Sequence, residues 1–144
     1  MRKFSANYIY CYPTGLLKNG IIILDDNNRI IDLIDNQGNL QEEANLEYFN
    51  GILLPGFISN LNHSDPDYFQ YEDNKLAFNK LVHFQQINSS INLFDLLNSE
   101  SERVLGYKYR GFEKGNITGV NLIENVNLAE LKLSPVSKLR ILIK

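Results

Sequence analysis

A short polar run in the middle of the chain carries the side chains best suited to bind a metal ion. In "HSDPD", residues 63–67, His63, Asp65 and Asp67 bring one imidazole and two carboxylates close together. Zinc sites use three or four such ligands that converge on the ion. Serine and aspartate at this spacing also favour a solvated turn in which they bond their own backbone. We therefore predict no metal, catalytic or cofactor-binding residue, and keep His63, Asp65 and Asp67 as the candidate metal ligands if a site exists.

The other reactive side chains are few and stand apart. The chain has two histidines and one cysteine, so a full set of metal ligands would have to recruit carboxylates. Cys11 follows a predicted strand with no histidine near it in sequence, which favours a buried and inert thiol. His83 falls within a predicted helix, where an ordinary surface or partly packed histidine is expected. The glycines of "RGFEKGN", residues 110–116, lack the spacing of a phosphate-binding loop.

Composition and charge narrow the class of protein. The chain has 144 residues, 44% hydrophobic and 22% charged, which is enough for one ordinary domain with its own core. The net charge is -3 and the basic residues are scattered, so no nucleic-acid partner is predicted. The apolar runs are far shorter than the ~20 residues that span a bilayer, so no membrane partner is predicted either. The N-terminus lacks an apolar signal segment, and a single cysteine fits a reducing compartment, so we expect a cytoplasmic protein.

Strand patterns dominate the first part of the chain. Residues 3–10 alternate between aromatic or β-branched and polar residues, which predicts a strand. The run "PTGLLKNG", residues 13–20, predicts a turn. In residues 21–35 two apolar runs flank the polar tip "DDNNR", which predicts a hairpin. One or two further short strands follow, with a predicted break at Asn50-Gly51.

Helical spacing replaces this pattern after residue 75. Apolar residues recur there at intervals of about one helical turn, at Leu76, Phe78, Leu81, Val82 and Phe84. The run "NLFDLLNSESERVLG", residues 92–106, predicts a second helical stretch with Asn92 and Ser99 as the candidate N-caps. Strand character returns in "TGVNLIENV" and in "KLRILIK" at the end of the sequence.

Two stretches of the chain resemble parts of the metal-dependent amidohydrolases, of the imidazolonepropionase, cytosine deaminase and chlorohydrolase type. In that family a Pro-Gly-Phe-Ile stretch leads from N-terminal sandwich strands into a (β/α)₈ barrel and ends in a His-x-His pair. Residues 55–58 match this stretch, and His63 falls on the second histidine. Ser59 stands where Asn or Asp is usual, and Leu61 stands at the first histidine.

The later stretch is similar to the family's last barrel helix and its return into the sandwich. Phe94–Gly106 would correspond to the closing helix, and Gly111–Gly115 to the turn into the returning strands. Only 28 residues separate His63 from Asn92, whereas a (β/α)₈ barrel takes about 250. The resemblance therefore implies that the barrel and its remaining metal ligands are almost wholly missing.

With this resemblance, the elements predict a mainly β fold with helices (α+β). N- and C-terminal strands would form a small composite β-sandwich or barrel, with two or three helices inserted between them. We predict a single domain over residues 1–144. Its parts are N-terminal strands at 1–60, a loop at 61–74, helices at 75–106 and C-terminal strands at 107–144.

Leucine offers no lone pair to a metal, so the resemblance implies a truncated, non-catalytic protein that acts as a binding or assembly module. The alternative is a metal-dependent hydrolase of C–N bonds whose site is completed at a subunit interface or by another chain. A divalent ion such as zinc is expected only under that alternative. A decayed gene fragment without a selected function is a third possibility. The helices around 76–84 and 94–105 have lost the barrel they would have packed on, which predicts a homo-oligomer, by default a dimer, through helix faces. The sequence identifies no small-molecule ligand.

Overall fold

The fold is built on a mixed sheet of seven strands. The computed structural model describes residues 1–11, 15–59, 70–71, 73–100 and 111–144. The strands of this sheet are β1 (Arg2–Cys11), β2 (Gly15–Lys18), β3 (Ile21–Leu24), β4 (Ile30–Ile34), β5 (Leu46–Leu54), β8 (Val120–Glu124) and β9 (Lys138–Ile143). Two very short strands, β6 (Ile58–Ser59) and β7 (Gln70–Tyr71), pair separately. The helices are α1 (Asn74–Ile87) and α2 (Leu93–Asp95), and α2 continues into a π-helical turn at Leu96–Glu100.

Strands from the two ends of the chain share the sheet. Its order is β4-β3-β1-β5-β8-β9, and β2 pairs with the second half of β1. The β1–β5 pair is parallel, whereas the other pairs are antiparallel. The N-terminal and C-terminal strands meet at the β5–β8 pair, where Leu53 lies opposite Leu122. The prediction of a mainly β fold with some helix is confirmed.

The β3–β4 hairpin forms where the sequence predicts it. At its tip the Asp25 carboxylate Oδ1 accepts hydrogen bonds from the backbone N–H groups of Asn27 and Arg29, at 2.8 and 3.0 Å. Asn28 has a φ of 63°, a left-handed conformation that asparagine adopts more readily than most residues. The polar residues of the tip thus satisfy their own backbone, as turn residues do.

The sheet does not close into a barrel, so that alternative in the sequence prediction is wrong. Its outermost strands, β4 and β9, are not paired with each other. The outer edge of β4 is instead bonded by the segment that precedes β8. The Ile30 N–H donates to Asn116 O and the Gly115 N–H donates to Ile30 O, both at 2.9 Å. These bonds occupy the edge groups of Ile30 that a closing strand would need.

The predicted break at Asn50-Gly51 is also wrong, because β5 runs through it without interruption. Gly51 has a φ of 144°, and a Cβ atom at this position would lie 2.1 Å from the Ile123 carbonyl oxygen. The Gly51 N–H donates to Asn7 Oδ1 at 2.7 Å, beside a register shift in β1. Glycine here permits a close approach of two strands rather than a turn.

The segment predicted as a turn before residue 20 contains a strand, β2. Its residues pair with the second half of β1, with Tyr8 opposite Lys18 and Cys11 opposite Gly15. The sequence signals of Asn19-Gly20 mark the end of this strand rather than a continuous turn. Asn19 itself has a left-handed φ of 54°.

Helix α1 begins at the predicted place and is capped by a carboxylate. Asp73 Oδ1 accepts the Leu76 N–H at 3.1 Å, which satisfies one of the free donors of the first turn. Phe78 and Leu81 are buried as the spacing predicts, but Leu76 is 53% exposed. Asn92 caps α2 as predicted, since its Oδ1 accepts the Asp95 N–H at 2.8 Å. The rest of the predicted second helix, at 101–106, lies outside the described residues.

Two apolar clusters lie on opposite faces of the sheet. Because side chains alternate along a strand, Ile52 and Leu54 join one cluster and Leu53 joins the other. The helix-side cluster consists of Tyr10, Ile52, Leu54, Phe57, Ala77, Phe78, Leu81, Leu93, Leu96, Leu97, Ile123 and Leu133. The sheet-side cluster consists of Phe4, Ala6, Ile9, Ile22, Leu24, Ile30, Leu53, Phe112, Val120, Leu122 and Ile143.

Candidate functional site

The candidate metal ligands named from the sequence fall in a part of the chain that the structure does not describe. His63, Asp65 and Asp67 lie outside the described residues, as does Leu61. Across the described ranges, no group of three or more His, Cys, Asp or Glu side chains is arranged to hold a metal ion. The metal-site prediction therefore stays a prediction.

Cys11 lies at the end of β1 in an environment that disfavours its thiolate. It is partly exposed and contributes to a shallow cavity of about 280 Å³ that Asp35 also lines. Burial raises the pKa of the Cys11 thiol to about 11, and the negative charge of Asp35 acts in the same direction. The thiol is protonated at neutral pH, so Cys11 is a poor nucleophile there, although it is not fully buried as the sequence predicts.

His83 is an exposed residue of α1, as the sequence predicts. It borders a shallow cavity of about 330 Å³ together with Lys80, Phe84 and Ile87. Ile87 is 68% exposed, and Leu76 lies at the other end of the same helix. We call Leu76, Lys80, His83 and Ile87 the outer face of α1. It combines two apolar side chains with two polar ones.

A larger cavity, of about 600 Å³, lies where α1 begins and the C-terminal strands end. Its volume is in the range of small-molecule sites in proteins. Ile117, Ile141 and Ile143 supply apolar surface, and Asn121 supplies a polar group. Gly56, which follows β5, also contributes to the wall. We call this the α1–β9 cavity.

An asparagine pair holds the wall of this cavity together. Asn74 Oδ1 accepts two hydrogen bonds, from the Phe57 N–H at 2.9 Å and from Asn121 Nδ2 at 3.1 Å. The Gly56 N–H donates to Thr118 O at 3.0 Å. These bonds tie the Pro-Gly-Phe turn to the first residue of α1 and to the beginning of β8. Three segments that are distant in sequence therefore fix the cavity's shape.

Asn121 is the polar residue most clearly directed at the cavity. Its side chain is only 1% exposed, and it lines the cavity from the middle of an otherwise apolar strand. Its Nδ2 donates a hydrogen bond to Asn74 Oδ1 at 3.1 Å.

The charges around the cavity nearly balance. Asp73 contributes a carboxylate, one oxygen of which is occupied as the helix cap. The N-terminus of α1 contributes a partial positive charge, and Lys144 contributes a full one. Among the described residues, no histidine or cysteine lines the cavity.

Sequence reasoning missed this site. Asn74 falls at the boundary of a predicted loop and helix, and Asn121 falls in a predicted strand. The one available signal was Asn121 itself, a polar residue in the otherwise apolar run "VNLI".

Comparisons of the chain with protein-family models, with curated proteins and with solved structures find no match. Over the ranges that the structure describes, no helix is both long and apolar enough to cross a membrane.

Proposed function

We propose that this protein is a non-catalytic relative of the metal-dependent amidohydrolases that acts as a binding or assembly module. The α1–β9 cavity carries the proposal. It has the volume of a ligand site and a buried amide directed into it, and the described residues of its wall include no histidine or cysteine.

The arrangement of the sheet supports the proposed ancestry. N-terminal and C-terminal strands pair directly at β5–β8, as the remnant of a composite β-sandwich would require. The Pro-Gly-Phe turn leaves the sheet at the end of β5, where a barrel would begin in the family. Phe57 is instead completely buried in the helix-side cluster. In this proposal, the helices packed in that cluster cover the end of β5 in place of the lost barrel.

The chemistry of individual residues supports the absence of catalysis. Leu61 stands where the family has a metal-binding histidine. The raised pKa of the Cys11 thiol makes it unsuited to nucleophilic attack at neutral pH. A hydrolytic metal ion needs several rigid ligands and an open position for water.

Metal analysis of the purified full chain tests this proposal. We expect no stoichiometric zinc, manganese or iron, and no hydrolysis of amide or cyclic ureide substrates. His63→Ala should change neither result, and His83→Ala is the matched control because it removes the other histidine of the chain. A stoichiometric metal that His63→Ala releases and His83→Ala retains would overturn the proposal and favour a hydrolase site that includes His63, Asp65 and Asp67.

Assembly through the outer face of α1 is part of the same proposal. Leu76 and Ile87 are exposed apolar residues on that face, at 53% and 68%. Light scattering on the same purified samples should give the mass of a dimer, and Ile87→Lys should give the mass of a monomer. A monomeric parent protein at micromolar concentration would rule out this mode of assembly.

A further inference from the structure

The outer face of α1 has the same spacing when it is followed from either end. Lys80 lies four residues after Leu76, and His83 lies four residues before Ile87. All four side chains are exposed. Intervals of four, three and four residues are those of the core positions of a coiled coil, so these side chains lie along one side of the helix. They form a row of about 16 Å with apolar ends and a polar middle.

A second copy of the chain complements this row when the two helices run in opposite directions. A two-fold axis at the middle of the row places Leu76 against the partner's Ile87, and Lys80 against the partner's His83. A parallel pair would instead place Lys80 beside the partner's Lys80, which brings like charges together. The antiparallel pair matches an ammonium donor with a neutral imidazole, which accepts a hydrogen bond through one ring nitrogen.

The charged groups near His83 make such a pairing depend on pH. Among the described residues, the cavity that His83 borders is lined by α1 alone, and Lys80 is the charged group there. From β9, Lys138 lies beside Lys75 and Asn79 of the same helix. Helix α1 contains no Asp or Glu. A proton on His83 would therefore set an imidazolium against ammonium groups, with no carboxylate of α1 to offset the repulsion.

We infer that the protein dimerises by packing α1 antiparallel against α1 of a second copy, with the Lys80 ammonium donating to the neutral imidazole of the partner's His83. The inference rests on the proposed function, because it specifies how the outer faces of α1 meet. An ammonium group has three N–H donors, so this bond leaves Lys80 two for other contacts. A histidine side chain in water gains a proton as the pH falls through about 6.5. The dimer is therefore stable at pH 8 and dissociates in mildly acidic solution.

Sedimentation equilibrium of the full chain at pH 8.0 and pH 5.5 tests the pH dependence. The dissociation constant of the dimer should rise about tenfold or more at the lower pH, because both imidazoles acquire a positive charge beside a lysine ammonium. His83→Gln keeps an acceptor for Lys80 but does not titrate, so its dissociation constant should change less than about twofold between the two pH values. His63→Gln is the matched control, since it removes the other histidine of the chain and should retain the full pH dependence.

Disulfide trapping tests the direction of the helices. In a Cys11→Ser background, an equimolar mixture of Leu76→Cys and Ile87→Cys chains should form a crosslinked dimer under mild oxidation. Neither variant alone should crosslink efficiently. In the antiparallel pair the two copies of position 76 lie about 16 Å apart along the helix axis, which is beyond the reach of a disulfide.

Two results would overturn the inference and leave the proposed assembly intact. They are a dimer whose dissociation constant is the same at both pH values, and equal crosslinking of the mixture and of the single variants. Loss of the pH dependence in His63→Gln would also overturn it, because the titrating group would then lie elsewhere. A monomer at pH 8.0 would instead refute assembly through this face, and the inference with it. The metal analysis of the His63→Ala variant stands or falls separately.

Discussion

The two apolar clusters are held together by different kinds of interaction. The sheet-side cluster joins strands that are already aligned by their backbone ladders, with Phe112 added from the segment before β8. Arg2 covers it over the Phe4 ring at 4.7 Å, and Arg140 covers it over the Phe49 ring at 5.6 Å. The helix-side cluster instead joins helices and loops to the sheet, and no regular pattern of backbone hydrogen bonds connects these elements. Buried amide side chains make those connections.

Gln85 is the clearest of these connections. It is 3% exposed, and its Nε2 donates to Asn88 O at 3.2 Å and to Ile91 O at 2.6 Å. Its Oε1 accepts the Leu133 N–H at 3.3 Å. One side chain thus joins the end of α1, the loop before α2 and the segment before β9. Backbone pairing therefore organises the sheet-side cluster, whereas a few buried side chains such as Gln85 organise the helix-side cluster.

The largest expected effect on stability is that of a substitution at Gly51, in a strand that contributes to both clusters. Gly51→Ala should lower the free energy of unfolding by about 3–5 kcal/mol, because the new Cβ meets the Ile123 carbonyl oxygen in the neighbouring strand. Gly15→Ala is the matched control. Gly15 has a nearly equal φ of 150° but no atom within 4 Å of the added Cβ. We expect it to cost about 1–2 kcal/mol from backbone strain alone. Urea unfolding curves of the two variants measure this difference. Equal losses of stability would show that β5 does not approach the Ile123 carbonyl oxygen closely at Gly51.

A substitution at Gln85 is expected to reduce stability less, and to loosen only the helix-side cluster. Gln85→Leu should destabilise the protein by about 2–4 kcal/mol, because it leaves the Leu133 N–H and two carbonyl groups without partners. The exposed neighbour provides the control, since Gln86→Leu should change stability by less than about 0.5 kcal/mol.

Hydrogen exchange makes this test specific to one cluster. In the Gln85→Leu variant, the Leu133 amide should exchange faster while the amides of β3 and β4 keep their protection. An equal loss of protection at Leu133 and in β3 and β4 would mean that the two clusters unfold as one unit. That result would contradict the claim that they are held together by different interactions.

The smallest expected effect is the pH dependence contributed by Cys11, which packs at the margin of the sheet-side cluster. Its pKa is raised from 9.0 to about 11 in the folded protein, so its contribution to stability is fully present below pH 9. That contribution is lost as the pH rises through the window from 9 to about 11. The alkylation rate with iodoacetamide, measured against pH on the folded protein, should reach half of its maximum near pH 11. A midpoint at or below pH 9 would contradict the burial of the thiol.

Local patterns in the sequence predicted those helices and strands whose structure is determined by residues close to them in the chain. The β3–β4 hairpin, β1, β8 and β9 follow from alternation and turn residues, and the predicted cap Asn92 lies beside the helical pattern that it begins. The errors occur where a distant segment decides the local structure. Asn50-Gly51 has the composition of a turn, but Asn7 and Ile123 make it part of a continuous strand.

The candidate cavity was beyond sequence reasoning for the same reason. The hydrogen bond between Asn74 and Asn121 spans 47 residues, and neither residue carries a local pattern that names the other. Leu76 fits the apolar helical spacing, but α1 turns it away from the sheet. The metal-ligand prediction at His63, Asp65 and Asp67 stays a prediction, because those residues are not described.

The two ends of the open sheet are protected by different means from pairing with further strands. The groups of Ile30 at the edge of β4 are already bonded by Asn116 and Gly115 of the same chain. At the other end, β9 alternates the exposed cationic side chains of Lys138 and Arg140 with less exposed ones. A second β9 edge aligned beside it would bring like charges together and desolvate them, which opposes edge-to-edge aggregation. The open architecture is therefore compatible with a protein that does not polymerise through its sheet.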